Sequence, residues 1–271
     1  MPTLTAAACA DLLDPLSDLA AAAALEILEV GRSGAQTKAD GSPVTPADEA
    51  AELLIRKELR RLIPELPIIS EEQAAQEIPK VPARGSYFLV DPLDGTSDFI
   101  AGRDEYTVNI ALMTDGAPVF GVIAAPASSV IWRGIVGRGA QRIEVSADGR
   151  TVSMQAIRTR SAASDNLTVM VSRSHLEART KAYVDGLPVT ELVRCGSSIK
   201  FCRLAEGAAD LYARLAPTHD WDIAAGHAIL AAAGGTVMAP NGAPIAYGSE
   251  DLLIPAFLAW GDPARAAPVK D

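Results

Sequence analysis

The sequence predicts a layered protein of the mixed α/β class. In the first half, strands follow one another through short Gly-containing turns, and in the second half strands alternate with helices. The chain has 271 residues, of which 49% are apolar, and no uninterrupted apolar run reaches 18 residues, which is typical of a globular chain with a large core. The change in element order predicts an N-terminal half over 1–155 and a C-terminal half over 156–271.

The N-terminal half begins with two predicted helices. Asp14 and Pro15 are typical of an N-cap and a first helical position. Apolar residues then recur at helical spacing at Leu16, Leu19, Ala23, Ile27 and Val30. Thr45 and Pro46 repeat this pattern, with Asp48 as the acid of a capping box. The buried stripe of the second helix is predicted at Ala51, Ile55, Leu59 and Leu62.

The remaining elements follow from apolar runs bounded by turn residues. In the N-terminal half, one short predicted strand ends at Ser70, and four further strands are predicted over 87–90, 106–113, 118–124 and 130–136. In the C-terminal half the predicted strands cover 167–172, 189–193 and 211–215. The predicted helices there cover 175–185, 198–207 and 221–233.

Charge and cysteine content exclude several classes of protein. The formal net charge of −10 argues against general binding of a nucleic acid polymer or an anionic membrane, so an anionic ligand must be held locally. Three cysteines without a CxxC pair indicate neither a disulfide framework nor a zinc site, and they favour a reducing cytoplasm. The Ala-rich segment 19–30 directly follows Asp18, is interrupted by Glu26 and lacks the preceding basic residues of a signal peptide, so no transmembrane segment is predicted.

Acidic residues gather at the ends of predicted elements. Glu71 and Glu72 follow one strand, Asp91 and Asp94 follow another, and Asp222 lies in the first turn of a helix. A turn through Asp91-Pro92-Leu93-Asp94-Gly95-Thr96 brings both of its carboxylates toward one side. Each acid taken separately could instead be a solvated loop residue, because acids are usually exposed.

The chemistry of such a cluster is narrow. Oxygen ligands without His or Cys select hard cations, so Mg²⁺ is the expected metal. Backbone N–H groups at Gly95 and Thr96 could bind phosphate oxygens at the start of a short helix. Together these features predict phosphoryl chemistry.

Three motifs resemble the signature set of the inositol-monophosphatase-like superfamily of Mg²⁺-dependent, lithium-sensitive phosphatases. They are SEE at 70–72, DPLDGT at 91–96 and WDIAAG at 221–226, and they occur in the family's order. The resemblance implies an αβαβα sandwich with two or three Mg²⁺ ions. It implies that Glu72 supports catalysis, that Leu93, Gly95, Thr96 and Asp222 contact the substrate, and that the metal ligands are Glu71, Asp91, Asp94, Asp222 and the carbonyl of Leu93.

Three further segments are similar to those of the 3′(2′),5′-bisphosphate nucleotidases of the CysQ type. They are KADGSPVT at 38–45, SRSH at 172–175 and GSSIKFCRLAEGAADLYARL at 196–215. This resemblance implies that Asp40 and Thr96 activate the attacking water. It also implies that the nucleotide and its second phosphate are bound by His175, Ser197, Lys200 and Arg214.

Simpler interpretations of these residues are also open. Lys200 could be a solvated helix residue and Arg214 a charge at a strand edge, and His175 could cap the following helix. Trp221 is expected to pack in the core beside Asp222 rather than to stack on a base.

The resemblance implies hydrolysis of the 3′-phosphate of adenosine 3′,5′-bisphosphate to AMP, with the 5′-phosphosulfate analogue as a second expected substrate. In the family this reaction removes a by-product of sulfate assimilation. The resemblance allows a homodimer and peripheral association with the inner membrane. One alternative is an inositol-phosphate or sugar-phosphate phosphatase, and another is a non-catalytic protein that binds phosphorylated metabolites.

Overall fold

Two large sheets form the frame of the molecule. The computed structural model describes residues 3–4, 6–77, 79–162 and 165–269. The helices are α1 (Ala6–Asp11), α2 (Leu13–Val30), α3 (Pro46–Leu62), α4 (Glu71–Ala74), α5 (Thr96–Ile100), α6 (Ala178–Asp185), α7 (Ile199–Ala205) and α8 (Asp220–Ala232). Two short 3₁₀ helices cover Pro126–Ser128 and Pro263–Arg265.

Strands make up much of the N-terminal half and recur throughout the C-terminal half. Those before residue 158 are β1 (Gln36–Thr37), β2 (Pro43–Val44), β3 (Ile68–Ser70), β4 (Ser86–Asp94), β5 (Thr107–Thr114), β6 (Ala117–Ala125), β7 (Val130–Ile135), β8 (Gly139–Val145) and β9 (Thr151–Ile157). The later ones are β10 (Leu167–Ser172), β11 (Val189–Cys195), β12 (Leu211–Arg214), β13 (Thr218–His219), β14 (Thr236–Met238), β15 (Leu253–Ile254) and β16 (Phe257–Trp260).

The strands pair into two main sheets and two ribbons. The seven-stranded sheet has the order β3-β4-β5-β6-β7-β8-β9 and is antiparallel except for the parallel pair β3 and β4. The five-stranded sheet has the order β11-β10-β12-β16-β14, with β10 parallel to both of its neighbours. The ribbons are β1 with β2 and β13 with β15.

Side-chain packing arranges these elements in five layers. Helices α2 and α3 cover one face of the seven-stranded sheet, and α7 and α8 lie between its other face and the five-stranded sheet. Helix α6 packs on the far face of the five-stranded sheet. Alternation along β5 shows the two faces, because Ile110 faces α2 and α3 whereas Ala111 faces the central cluster. The predicted αβαβα sandwich is confirmed.

Helix α3 follows its prediction, whereas the start of α2 does not. Thr45 and Asp48 form the predicted capping box of α3, and Leu62 is only half-buried. Helix α2 begins at Leu13 rather than at Pro15, because the carboxylate of Asp14 accepts a hydrogen bond from Arg133 Nη1 at 2.6 Å instead of capping the helix. Val30 was expected to be buried and is exposed at the end of this helix.

Several strands were missed in the sequence. β9 is exposed along almost its whole length, so it lacks the alternation by which a half-buried strand is recognised. β8, β14 and β16 were not predicted either, and helix α6 begins three residues later than expected, at Ala178. The central cluster takes residues from both sheets, and the division of the chain near residue 155 stays a prediction. No helix among the described residues is long and apolar enough to cross a membrane.

The small residues of the motif WDIAAG allow α8 to pack tightly in the central layer. A Cβ at Gly121 of β6 would lie 2.3 Å from the carbonyl oxygen of Ala225 in α8. On the opposite side of this helix, a Cβ at Gly226 would lie 2.4 Å from the ring of Phe201 in α7. Helix α8, which carries Asp222, is therefore held at backbone distance from the sheet.

Replacing Gly121 with Ala is expected to lower the free energy of unfolding by roughly 1–3 kcal/mol, because the added methyl group must push β6 and α8 apart. Gly186→Ala is the matched control, since Gly186 has a φ of −84° and the nearest atom to an added Cβ lies at 3.4 Å. Chemical denaturation of both variants checks the prediction. A Gly121→Ala variant as stable as the control would contradict it.

Candidate active site

A cavity of about 690 Å³ opens at the ends of β4, β10 and β12 and at the first turns of α7 and α8. It brings together all but one of the predicted site residues, namely Asp40, Glu71, Asp91, Leu93, Asp94, Gly95, Thr96, His175, Ser197, Lys200, Arg214 and Asp222. The exception is Glu72, whose carboxylate binds Lys38 on the cavity wall.

The two aspartates of DPLDGT lie at an irregularity of β4. The register of β4 against β5 shifts between Asp91 and Asp94, where Pro92 has no N–H group for the sheet ladder. Asp91 is buried, and its carboxylate accepts a hydrogen bond from the backbone N–H of Leu93 at 3.0 Å. Gly95 then adopts a φ of +95° and precedes the short helix α5, so the chain turns back beside the acids.

Burial and mutual repulsion raise the pKa of several of these carboxyl groups. Burial, followed by the charges of Glu71, Asp94 and Asp222, raises the pKa of Asp91 well above its ordinary value. Burial also raises the pKa of Glu71 to about 8. For Asp94, burial and the charge of Asp222 raise the pKa to about 6, although Lys200 opposes the shift. The site therefore concentrates negative charge that calls for a cation.

One cation at this cluster comes from the chain itself. Lys38, in the turn between β1 and β2, places its ammonium group 2.7 Å from carboxylate oxygens of both Glu71 and Glu72. The side chain of Lys38 is only 9% exposed, so this contact is shielded from solvent. Glu72 is thus connected to the carboxylate cluster through Lys38, and its backbone N–H donates a hydrogen bond to the carboxylate of Glu52.

Thr96 is paired with Asp48 rather than with Asp40. The hydroxyl of Thr96 lies 3.0 Å from Asp48 Oδ1 and 3.0 Å from the carbonyl oxygen of Leu93. The other oxygen of Asp48 accepts hydrogen bonds from the backbone and side chain of Thr45, which form the capping box. Asp40 is exposed and accepts hydrogen bonds from Ser42, which lower its pKa.

Asp48 was recognised in the sequence only as a helix cap. Because a carboxylate has two oxygens, one capping the helix leaves the other free to bind Thr96. Burial raises the pKa of Asp48 above its ordinary value. Asp48 and Thr96 therefore form a buried carboxylate–hydroxyl pair beside the acid cluster.

The lining of the cavity also carries two basic groups, Lys200 and Arg214, which are here called the basic wall. Lys200 is buried, so its interpretation as a solvated helix residue is wrong. Its ammonium donates to the carbonyl oxygens of Cys195, at 3.1 Å, and Ser197, and lies 5.0 Å from the centre of the Tyr212 ring. Arg214 is half-buried and donates to the carbonyl oxygen of Pro217 at 3.0 Å.

His175 differs from its simpler interpretation as a helix cap, whereas Trp221 packs in the core as expected. His175 does not cap α6, because the cap is Glu177, whose carboxylate accepts from the N–H of Thr180. Burial and then the charge of Arg214 lower the pKa of His175, so the ring is neutral at pH 7. Trp221 is 6% exposed and stacks on His219 at 4.6 Å.

Ser198 and Asn109 are site residues that were missed in the sequence. Ser198 Oγ lies 2.8 Å from a carboxylate oxygen of Asp94 and 2.6 Å from the carbonyl oxygen of Asp222, and it accepts a hydrogen bond from Asn109. Ser198 therefore links the turn after β4 to the first turn of α8. Its position inside the segment GSSIKF was the available signal, but only Ser197 and Lys200 were assigned from that segment.

Comparison with known proteins identifies the family. Residues 10–267 match the model of the inositol monophosphatase family. The chain belongs to the inositol monophosphatase family. Within it, the chain is 42% identical to the 3′(2′),5′-bisphosphate nucleotidase CysQ of Escherichia coli O157:H7, over 91% of this chain and 98% of that protein. It is 37% identical to CysQ of Buchnera aphidicola, over 87% of each chain.

Solved structures of the family share the fold. The CysQ structure from Bacteroides thetaiotaomicron superposes with a TM-score of 0.69 at 33% identity, covering 95% of this chain and 98% of that one. The IMPase structure from Thermotoga maritima superposes with a TM-score of 0.74 at 23% identity, covering 93% and 92% of the two chains. At that identity the second likeness shows the fold alone.

Enzymes of the inositol monophosphatase family depend on a metal, typically Mg²⁺. Within the described residues, no three His, Cys, Asp or Glu side chains are already arranged as a ready ligand group. The donor set nevertheless fits this metal, because the acids whose charges raise one another's pKa offer only oxygen and the carbonyl of Leu93 adds a neutral oxygen.

The raised pKa values predict how pH changes the stability of the metal-free protein. A carboxyl group that binds its proton more tightly in the folded chain removes stability as pH rises from about 4, the ordinary value, through its folded pKa. For the cluster this window extends to about 8, the pKa of Glu71. Neutralising Asp91 as Asn is therefore expected to stabilise the metal-free protein, and to do so more at pH 8 than at pH 5.

Thermal unfolding of wild type and Asp91→Asn in EDTA, at a series of pH values, measures this difference. A gain in Tm of at least about 2 °C at pH 8 is expected, since 1 kcal/mol shifts Tm by roughly 2–4 °C in a chain of this size. Glu65→Gln is the control, because Glu65 is an exposed carboxylate outside the cavity. A gain that does not grow with pH would contradict the repulsion among the acids.

Proposed function

We propose that this protein is a 3′(2′),5′-bisphosphate nucleotidase that hydrolyses the 3′-phosphate of adenosine 3′,5′-bisphosphate, yielding AMP and phosphate. One observation carries the proposal: a single cavity is lined both by the carboxylates and by Lys200 and Arg214. A substrate with two phosphates needs both, one phosphate for the metal side and one for the cations. Similarity to CysQ along nearly the full length supports the same substrate class.

The metal ions would be held by the acidic wall. Glu71, Asp91, Asp94, Asp222 and the carbonyl of Leu93 are the proposed ligands of two or three Mg²⁺ ions. When bound, Mg²⁺ polarises phosphoryl oxygens and stabilises the entering and leaving oxygens of an in-line displacement. Glu72 is proposed to support catalysis by holding Lys38 beside Glu71.

Asp48 and Thr96 are proposed to activate the attacking water. The hydroxyl hydrogen of Thr96 is directed to Asp48 or to Leu93, so a water beside Thr96 finds only an acceptor there. That water donates to Thr96 and turns a lone pair toward the phosphorus. As its oxygen bonds to phosphorus and the bond to the 3′-oxygen breaks, its proton passes toward the Thr96–Asp48 pair, whose carboxylate is made more basic by burial. The departing 3′-oxygen takes up a proton from solvent water, which leaves AMP with a free 3′-hydroxyl.

The nucleotide is proposed to lie across the cavity from the carboxylates. Backbone N–H groups of Gly95 and Thr96, in the first turn of α5, are available to oxygens of the reacting phosphate. His175, Ser197, Lys200 and Arg214 are proposed to hold the nucleoside and its second phosphate. Lys200 has three N–H donors and the structure directs two of them to carbonyl oxygens, which leaves the third for an anion.

The residues that line the cavity fit the two alternative functions less well. An inositol or sugar monophosphate has no second dianion to occupy Lys200 and Arg214, and a non-catalytic binding protein has no need of the Asp48–Thr96 pair. The 5′-phosphosulfate analogue presents an anion at the same position and is a second proposed substrate. A cytoplasmic location and a homodimer stay predictions.

Phosphate release from a panel of substrates tests the function. With Mg²⁺ saturating, kcat/KM for adenosine 3′,5′-bisphosphate is expected to exceed that for 3′-AMP and for inositol 1-phosphate by roughly tenfold or more, because one charge-assisted hydrogen bond contributes about 1.5–3 kcal/mol. A preference for inositol 1-phosphate would favour the first alternative. Binding of the bisphosphate without any phosphate release would favour the second.

Substitution of Asp48 and of Asp40 separates their roles. Asp48→Asn is expected to lower kcat by about 10²–10⁴-fold with a small change in KM, as expected for loss of general-base assistance. Asp40→Asn is the matched control, because Asp40 lines the same cavity but binds Ser42 and not Thr96. Steady-state kinetics of both variants give the comparison, and a larger kcat loss in Asp40→Asn would restore the water-activating role expected for Asp40.

A further inference from the structure

An ion pair behind the cavity wall joins the two sheets. Glu105 lies just before β5, and Arg173 follows β10. The guanidinium Nη2 of Arg173 lies 2.6 and 2.7 Å from the two carboxylate oxygens of Glu105, and its Nε lies 3.0 Å from Oε2. Arg173 also donates to the carbonyl oxygen of Arg194 at 3.1 Å. Such a forked contact fixes direction as well as distance.

Glu105 also binds the turn that precedes α7. The backbone N–H of Gly196 donates to Glu105 Oε2 at 2.7 Å. A Cβ at Gly196 would lie 2.4 Å from a carboxylate oxygen of Asp98 and 2.7 Å from the carbonyl oxygen of Glu105, so only glycine fits here. The next residue, Ser197, has a φ of +45°, a conformation that a non-glycine residue adopts only when neighbouring contacts hold it.

The held turn, residues 196–198, carries groups for both walls of the cavity. Ser198 contacts Asp94 of the acidic wall, and Ser197 supplies a carbonyl oxygen that Lys200 of the basic wall binds. The N–H of Gly196 therefore ties the basic wall to the segment that follows DPLDGT. This contact is one of those that hold the turn in place.

The environment keeps Glu105 ionised. Burial opposes the charge, but hydrogen bonds from Arg173 and from the N–H of Gly196 lower the pKa of Glu105 below its ordinary value. Glu105 and Arg173 stand behind Gly196 and do not line the cavity. They act on a substrate through the backbone segments that they hold, namely the 196–198 turn and the 172–175 segment to which Arg173 belongs.

We propose that Glu105, oriented by Arg173, is a positioning residue that sets selectivity for substrates with a second phosphate. It does so by holding the 196–198 turn at a fixed distance from the carboxylate wall. This inference rests on the nucleotidase function proposed above. A phosphate bound at the acidic wall alone depends on the turn only through Ser198, whose hydroxyl is held by Asp94 and by the carbonyl of Asp222 rather than by Glu105. A substrate that spans both walls depends in addition on the distance between them.

The experiment compares kcat/KM for adenosine 3′,5′-bisphosphate and for 3′-AMP in wild type, Glu105→Ala and Glu105→Gln, with Mg²⁺ saturating. Glu105→Ala is expected to raise KM for the bisphosphate roughly tenfold and to change kcat/KM for 3′-AMP less than about threefold. The KM of Glu105→Gln for the bisphosphate is expected to lie between those of wild type and Glu105→Ala. The amide oxygen of Gln still accepts a hydrogen bond from the N–H of Gly196, but the side chain lacks the negative charge that binds Arg173.

Arg160→Gln is the matched control for a purely structural effect. Arg160 makes an equally forked contact with Asp210 at 2.8 and 2.7 Å, and neither residue lines the catalytic cavity. This variant is expected to lower Tm without changing the ratio of the two kcat/KM values. Thermal unfolding of every variant shows which ones are folded at the assay temperature.

The outcomes separate this inference from the function on which it rests. Wild type that shows no preference for the bisphosphate would overturn the proposed function. Wild type that shows the preference while Glu105→Ala and Glu105→Gln keep the same ratio, or lose activity equally on both substrates, would overturn the positioning role alone.

Discussion

The acidic cluster holds several carboxyl groups close together where they are shielded from water. Two like charges about 4 Å apart repel by roughly 4 kcal/mol at an effective dielectric of 20, and burial adds a desolvation cost. The protein offsets this around Asp91 and Asp94 with the ammonium of Lys38 at one end and with Ser198 and Lys200 at the other. The carboxyl groups still have raised pKa values, as expected for a site that releases protons when it binds metal cations.

The packing of the layered fold offsets the repulsion within this cluster of charges. Asp222 reaches the cluster because α8 lies at backbone distance from the seven-stranded sheet at Gly121 and packs closely on α7 at Gly226. The packing around α8 is apolar, with Ile223, Ala224 and Ala225 buried, so the hydrophobic effect works against the repulsion at its first turn. The apolar packing of the central layer therefore stabilises the fold, and the repulsion among the carboxylates destabilises it at the edge of that layer, where the cavity lies.

Two kinds of contact divide the work within the cavity. The acidic wall and the Asp48–Thr96 pair face the reacting phosphate, while Lys200 and Arg214 line the side where a second anion would lie. A single turn, residues 196–198, contacts both walls. Reaction and selectivity in this proposal are thus coupled through backbone geometry, and not only through the side chains that touch the substrate.

The layered α/β class, the family and the residue types of the acidic wall could be predicted from the sequence, because they follow from periodicity and from motifs that are local in the chain. Only the tertiary structure decided that Asp48 serves Thr96, that Lys200 is buried and that Glu105 meets Arg173 and Gly196. These partners lie 48, 68 and 91 residues apart in three of the hydrogen bonds, and no local pattern encodes contacts at such separations. The exposed strand β9 escaped prediction for a related reason: its place in the sheet comes from pairing with β8, since its own side chains bury no face.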